Sequence, residues 1–379
     1  MVDTRTGTVL GRRALNRALL ERQLLTERRP LPALAVVERL VGLQAQDPRP
    51  PYVGLWSRVA DFRAEQLSRL VAERAVVRIA LLRSTIHLVS AADCLALRPV
   101  MQPQLERWAA AMYRSRLAGV ESAELAAVAR GLVEERPLTF DALGRLLAER
   151  WPGRDAAALA QSARALLPLV QVPPRGLWGA SGPAAHTTAE GWLGRPGAPG
   201  AGVEAMVLRY LAAFGPATVR DAQKWSGLTR LREVLERLRS RLRVFRDEGG
   251  AELYDLPDAP RPDPDTPVPV RLVAEFDNLL LSHADRTRVL PDPHWARVCT
   301  RNGLVRGTVL SDGFVQGTWR IVCGGREVPP ALSVELFAPL PAADREAVER
   351  EGRRLLAFSL SGDSTAPDGV GEVLFTAMD

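Results

Sequence analysis

The chain of 379 residues carries 50 basic against 44 acidic side chains, a net charge of +6, with 46% hydrophobic and 25% charged residues. These are the proportions of a soluble globular protein, and the length predicts two to four domains with sizeable cores. No apolar stretch reaches membrane-spanning length, and Met1 to Arg17 lacks the apolar core of a secretory signal. The three scattered cysteines (Cys94, Cys299, Cys323) fit neither a disulfide framework nor a zinc site, so a reduced cytoplasmic compartment, with no metal and no cofactor, is expected.

Three stretches repeat one order, helices and then a short strand pair. In the first, from about Gly11 to Ala92, apolar spacing predicts helices over Arg12–Glu27, Leu34–Leu43 and Ala64–Ala72, a further short helix after Pro51, and strands over Val76–Leu82 and Thr85–Val89. Within it, Val41-Gly42-Leu43-Gln44-Ala45-Gln46-Asp47-Pro48 sets two glutamines one residue apart where the apolar run meets Pro48, Pro50 and Pro51, which cannot continue a helix. In extended backbone Gln44 and Gln46 project to one side and Asp47 to the other. Each amide offers two donors and an acceptor without charge, enough to hold a water or a sugar in a fixed pose. The plain alternative is that the amides satisfy loose backbone groups at a helix end.

The second stretch spans about Ser122–Glu190, with helices expected near Ala123–Glu135, Phe140–Glu149 and Ala156–Leu166. The third spans about Val203–Leu256, with helices near Val203–Ala213, Arg220–Trp225 and Arg230–Arg239. Its strands, near Leu242–Arg246 and Glu252–Leu256, are joined through Gly249-Gly250. Leu231, Val234, Leu235, Leu238 and Leu242 keep helical spacing, while Arg230, Arg237 and Arg241 lie off that stripe. From Arg220 to Arg246 nine basic residues face three acids, so this segment alone carries +6. Such a stripe suits a polyanion, or it is a solvated helix face. Lys224 is the only lysine, which leaves few amines for Schiff-base chemistry.

Ala259 to Pro269 holds five prolines and reads as a linker. Beyond it the pattern predicts strands over Val268–Phe276, Leu304–Leu310, Phe314–Val322, Ala331–Phe337 and Leu355–Leu360, with one helix near Ala342–Arg354. Ser311-Asp312-Gly313 reads as a tight turn, and Phe314 lies beside its tip, where it could wedge into a groove or else pack into the core of the β domain. The expected fold is α+β: winged-helix (helix-turn-helix) units over 1–120, 121–200 and 201–260, followed by a β-rich, barrel-like domain over 268–379.

Four motifs in this order carry a family resemblance. They are Gly42-Leu43-Gln44-Ala45-Gln46-Asp47, then Leu82-Arg83-Ser84-Thr85-Ile86-His87-Leu88, then the run from Glu275 to Arg286, and last Asn302 to Gly307 with Gly317-Thr318-Trp319-Arg320. Together they resemble the AlkZ/YcaQ-type winged-helix DNA glycosylases over nearly the whole chain. Gln44 and Gln46 match the Gln-x-Gln branch on the AlkZ side, whereas the YcaQ side has Asp at the second position. Ala45 is smaller than the family's usual aliphatic residue.

The resemblance implies tandem winged helices around a basic cleft and hydrolytic removal of N7-alkylated purines from double-stranded DNA by a monomer. It also implies a role in self-resistance to a DNA-alkylating natural product, at the nucleoid. Gln44 and Gln46 are then the catalytic pair. Arg230, Arg237, Arg241, Phe314, His87, Asn278, His283 and Arg286 are DNA-contact candidates; the alternative for His87 is a polar residue on a wing strand, and for His283 structural hydrogen bonding. With Lys224 the only lysine, the enzyme is expected to be monofunctional, without lyase activity. A non-catalytic winged-helix regulator is the alternative function. It would normally carry one such unit per protomer and dimerise on a palindrome.

Overall fold

Apolar spacing in the first stretch produces β1 (Val9–Leu10), α1 (Arg12–Arg22), α2 (Ala33–Arg39), β2 (Leu43–Gln44), α3 (Pro50–Trp56), α4 (Ala64–Ala72), β3 (Val76–Ala80) and β4 (Ile86–Ser90). The structure, a computed structural model, describes residues 8–195, 202–322, 330–361 and 371–376; Cys323 lies outside them. Pro50 and Pro51 open α3, where a missing N–H costs no helical hydrogen bond. Helix α2 ends four residues earlier than its apolar run suggests, because the chain reverses through left-handed Val41 (φ 54°) and Gly42 (φ 91°). A Cβ on Gly42 would lie 2.6 Å from Val89 Cγ1, so this position requires glycine.

A 23-residue helix, α5 (Ala91–Tyr113), follows β4 and was not expected. Pro99 and Pro103 argue against it locally. It persists because Cys94, Leu97, Met101 and Leu105 form one buried stripe and Ser90 caps its start by accepting from the Asp93 N–H. The second stretch holds α6 (Ser122–Glu135), β5 (Leu138–Thr139), α7 (Phe140–Arg150), α8 (Ala156–Leu166), β6 (Leu169–Gln171), β7 (Ala185–Thr188) and α9 (Ala189–Leu193). The third holds α10 (Gly202–Phe214), α11 (Val219–Ser226), α12 (Leu231–Leu238), β8 (Arg243–Asp247) and β9 (Glu252–Asp255). Then come β10 (Arg271–Val273), α13 (Asn278–Leu281), α14 (Trp295–Val298), β11 (Gly307–Ser311), β12 (Phe314–Val322), β13 (Ala331–Leu336), α15 (Ala342–Leu360) and β14 (Val373–Thr376).

Three sheets link these stretches. Strands β3 and β6 pair, so the first two hairpins share one six-stranded sheet in the order β2-β4-β3-β6-β7-β5. The N-terminal β1 crosses to lie parallel with β8 beside the third hairpin. The C-terminal strands form a sheet in the order β10-β11-β12-β13-β14, with β14 parallel to β13. Among the described residues it is open, so the barrel-like expectation is corrected. Leu355–Leu360, expected as a strand, is the end of α15. The spacing Val348, Glu351-Gly352, Leu355-Leu356 continues the buried helical face, and a short apolar run alone does not separate strand from helix.

One apolar core joins residues of the first, third and C-terminal stretches, whereas α6, α7 and α8 close over their own smaller core. The proline-rich segment is not a free tether. Arg13 and Arg17 of α1 donate to the carbonyls of Pro264 and Thr266 at 2.8 Å, and Arg22 donates to that of Pro260 at 3.1 Å. Arg22 also forms a fully buried two-bond pair with Asp255, at 2.7 and 2.9 Å. No helix among the described residues is long and apolar enough to cross a membrane.

Candidate active site

The Gln-x-Gln segment is held through its backbone at Gln44 and Ala45 and through the oxygens of both glutamine side chains. Gln44 pairs with His87 in the antiparallel β2–β4 ladder. The Ala45 N–H donates to the Ile86 carbonyl at 2.7 Å, and the Ala45 carbonyl accepts from Arg78 Nη2 at 2.8 Å. The side chains are fixed too. Gln44 Oε1 accepts from Arg83 Nη2 at 2.8 Å, and Gln46 Oε1 accepts from the Ile86 N–H at 2.6 Å.

This arrangement sets the polarity of the site. A guanidinium and a backbone N–H can only donate, so the oxygens of both amides must face them. Both Nε2 groups then point elsewhere, and neither has a hydrogen-bond partner among the described residues. Gln44 is buried and Gln46 is exposed, and each presents NH₂ donors. Gln46 thus satisfies a backbone N–H, of a strand and not of a helix end, while Gln44 binds a guanidinium, and each keeps its Nε2 free.

Arg83 is the hub. It sits at φ 55° in the short turn Leu82–Ser84 between β3 and β4, followed by Ser84 at φ 60°, two consecutive left-handed residues of a kind that is uncommon outside glycine. That turn aims the guanidinium at three parts of the chain. Nη2 reaches Gln44, Asn278 Oδ1 at 2.9 Å and His87 Nε2 at 3.5 Å, while Nη1 donates to the Trp225 carbonyl at 2.6 Å. Asn278 Nδ2 in turn donates to the Gly42 carbonyl at 3.3 Å.

No carboxylate pairs with Arg83 or Arg78 among the described residues. Burial lowers both to about 10, so both remain charged at neutral pH. Burial and then the Arg83 charge push His87 down to about 3. Its Nδ1 faces the Thr85 carbonyl at 3.1 Å, which makes Nδ1 the protonated nitrogen and leaves Nε2 as an acceptor. His87 is therefore a neutral acceptor and not a proton donor at neutral pH. Asp47 is exposed, with Oδ1 taken by the Arg49 N–H at 2.9 Å.

The structure thus gathers Gln44, Gln46, His87 and Asn278 around Arg83 and Ile86. It places the other expected residues elsewhere. His283 is buried between the Ser282 hydroxyl (2.9 Å) and the Phe214 carbonyl (3.1 Å), the structural alternative foreseen for it. Arg286 donates to the Leu280 carbonyl at 3.0 Å and lies 4.0 Å over the Trp295 ring. Phe314 is half-buried, and its turn docks on α1. Arg13 and Arg17 pair with Asp312, and Asn16 donates to the Gly313 carbonyl at 2.8 Å. The turn beside Phe314 is thereby occupied by the protein's own helix.

Arg230, Arg237 and Arg241 are all exposed on or beside α12. Arg237 is held by Glu204 at 2.8 Å, while Arg230 and Arg241 have no partner among the described residues. Gly227, three residues before Arg230, packs on the Arg83 turn, where an added Cβ would lie 3.3 Å from Arg83 Cα. The basic segment therefore borders the glutamine cluster. No site role for Arg78 or Arg83 is read from the sequence, although Arg83 stands in the second family motif; the available signal is a charged residue within the buried stretch Val76–Ala80 and another directly after the buried Leu81–Leu82. No group of three or more His, Cys, Asp or Glu among the described residues is placed to hold a metal ion.

A family model described as DNA glycosylase AlkZ-like matches residues 37–358. An interstrand DNA cross-link repair glycosylase of Streptomyces sahachiroi is 26% identical over 346 residues, covering 86% of this chain and 92% of that protein. The solved structure of the DNA glycosylase AlkZ of the same organism aligns over 98% of this chain and all of that one, at 22% identity with a TM-score of 0.76.

Proposed function

The chain belongs to the AlkZ-like DNA glycosylase family, and on that premise we propose that it hydrolyses the N-glycosidic bond of N7-alkylated, bulky guanine adducts in double-stranded DNA. The observation that carries this reading is the pair of amides whose oxygens are consumed internally and whose Nε2 donors are free. N7 alkylation gives the purine a positive charge, so its bond to the sugar breaks with the electron pair passing into the ring and needs no strong acid. What the protein must supply is orientation and electrostatic stabilisation. Free NH₂ donors from Gln44 and Gln46 match acceptors on the adduct, the sugar or the adjacent phosphate. Arg83 and Arg78 add fixed positive charge that favours the DNA backbone.

The three helix-and-hairpin stretches serve as winged-helix units along the duplex, and the protein works as a monomer. Since the related Streptomyces sahachiroi protein is named for interstrand cross-link repair, cross-linked adducts belong among the substrates tested, within a role in self-resistance to a DNA-alkylating natural product. A regulator without chemistry is not favoured.

The decisive experiment incubates N7-alkylated duplex DNA with the protein and then heats it. Base release beyond that of a protein-free control, with breaks only after heating, identifies a monofunctional glycosylase, and binding with no breaks beyond that control identifies a regulator or an adduct-binding protein. Lys224 is exposed on α11, outside the glutamine cluster. Borohydride should therefore trap no covalent protein–DNA adduct, and a trapped species lost in Lys224→Ala would show a lyase.

A further expectation concerns the basic segment. Arg230→Ala and Arg241→Ala should each lower the slope of log affinity against log salt by roughly one, the effect of losing one phosphate contact. Arg237→Ala should lower it less, because Glu204 already holds that charge. Titrations on undamaged duplex at several salt concentrations check this, and equal slopes in all variants would make the segment solvated surface.

A further inference from the structure

Donors alone cannot complete the hydrolysis. Water attacking the sugar loses a proton, and the neutral amides of Gln44 and Gln46 are too weakly basic to take it. Nor do the charged side chains bonded to the segment, Arg83 and Arg78, stabilise a developing sugar cation, since both are positive; Asp47, beside Gln46, is exposed and accepts from the Arg49 N–H. An anion is required.

We propose that Glu275 is the catalytic carboxylate of this site, stabilising the sugar cation and taking the proton of the attacking water. The proposal rests on the glycosylase reading given above. Its basis is the way Glu275 is held. The residues around it are anchored on both sides: the Val273 carbonyl accepts from Trp319 Nε1 at 2.9 Å, and the N–H of Phe276, left-handed at φ 56°, donates to the Val305 carbonyl at 3.2 Å. Asp277 binds Arg58 through two bonds of 2.9 Å, and Asn278 reaches Arg83 and Gly42 inside the glutamine cluster. Between these anchors Glu275 is half-buried and has no hydrogen-bond or ion-pair partner among the described residues.

It also lies close enough to Asp47, the residue after Gln46, to feel its charge. Burial first, and then that negative charge, raise the Glu275 carboxyl above the usual range. Along the chain and across the Phe276–Val305 hydrogen bond, the next charged groups are the Asp277–Arg58 pair, Arg83 bound to Asn278, and Arg306, which follows Val305 and pairs with Glu335 at 3.7 Å. In the step itself the bond from sugar to base breaks with its electron pair moving into the positively charged purine. The water oxygen bonds to the sugar carbon, and the released proton passes to Glu275.

The test is single-turnover excision from N7-methylguanine duplex DNA across pH, corrected for spontaneous depurination. Wild-type protein should lose rate on acidification, as Glu275 is protonated above the normal carboxylate range. Glu275→Gln should lose roughly 100- to 1000-fold and show no acid limb, with the thermal midpoint and undamaged-DNA affinity of the wild type. Glu275→Asp should restore part of the rate together with the limb, and Asp47→Asn should move the limb to lower pH. A Glu275→Gln variant with the wild-type rate, or a slow one that keeps the limb, overturns the proposal and leaves the glycosylase reading intact. A wild-type protein that releases no base overturns both.

Discussion

Gln44→Ala is expected to slow single-turnover excision of an N7-alkylated guanine by roughly ten- to a thousandfold, the scale of removing one preorganised polar group from a transition state. The Gln44 oxygen already belongs to Arg83, so what substrate loses is the Nε2 donor. Affinity for undamaged duplex should hardly change, because binding of intact DNA rests on phosphate contacts. Gln46→Ala should fall in the same range and carry a second cost, the Ile86 N–H left without its acceptor. Single-turnover kinetics with a thermal midpoint for each variant separate the two effects. Wild-type rates in both variants would remove the pair from the mechanism.

Asp277→Ala should cost about 3–5 kcal/mol of stability, as for other buried ion pairs broken on one side. The Arg58 side chain is fully buried and Asp277 is 2% exposed, so nothing else can solvate the guanidinium once its partner is gone. Arg58 also donates to the carbonyls of Gln23 and Gly54 at 2.9 Å, which fixes it in place and prevents escape to water. The exposed pair Arg353–Glu349 is the contrast, and Glu349→Ala should change stability by under about 1 kcal/mol. Thermal or denaturant midpoints of the two variants check this ordering. An Asp277→Ala midpoint equal to that of Glu349→Ala would show the buried pair to be energetically idle. Since Asp277 lies between Glu275 and Asn278, its loss should also reduce excision at temperatures where the variant remains folded.

Most elements were legible in the sequence because their causes are local. The stripe Leu231, Val234, Leu235, Leu238 predicts α12 from neighbours three and four residues apart, and prolines mark where α3 begins. The family was legible as well, since its four motifs are short strings. The exceptions are instructive. Helix α5 contradicts the local effect of Pro99 and Pro103 and stands on its buried stripe. The end of α15 looks like a strand until Val348 and Gly352 extend its spacing.

By itself, then, the sequence determined that the apolar run stops at the prolines from Pro48 onward, that two uncharged amides stand at that junction, and that a basic segment accompanies them. It could not determine which atom of each amide is free. That depends on Arg83, 39 residues from Gln44, on the Ile86 N–H, 40 from Gln46, and on Asn278, 195 from Arg83. It could not foresee that the Asp312-Gly313 turn is covered by α1, because its partners Arg13, Asn16 and Arg17 lie nearly three hundred residues away. Periodicity and turn chemistry act over a few bonds and survive in any string of residues. The direction of a hydrogen bond, the absence of a counter-ion and the environment of a carboxylate are set through space, by whichever groups the finished core brings alongside.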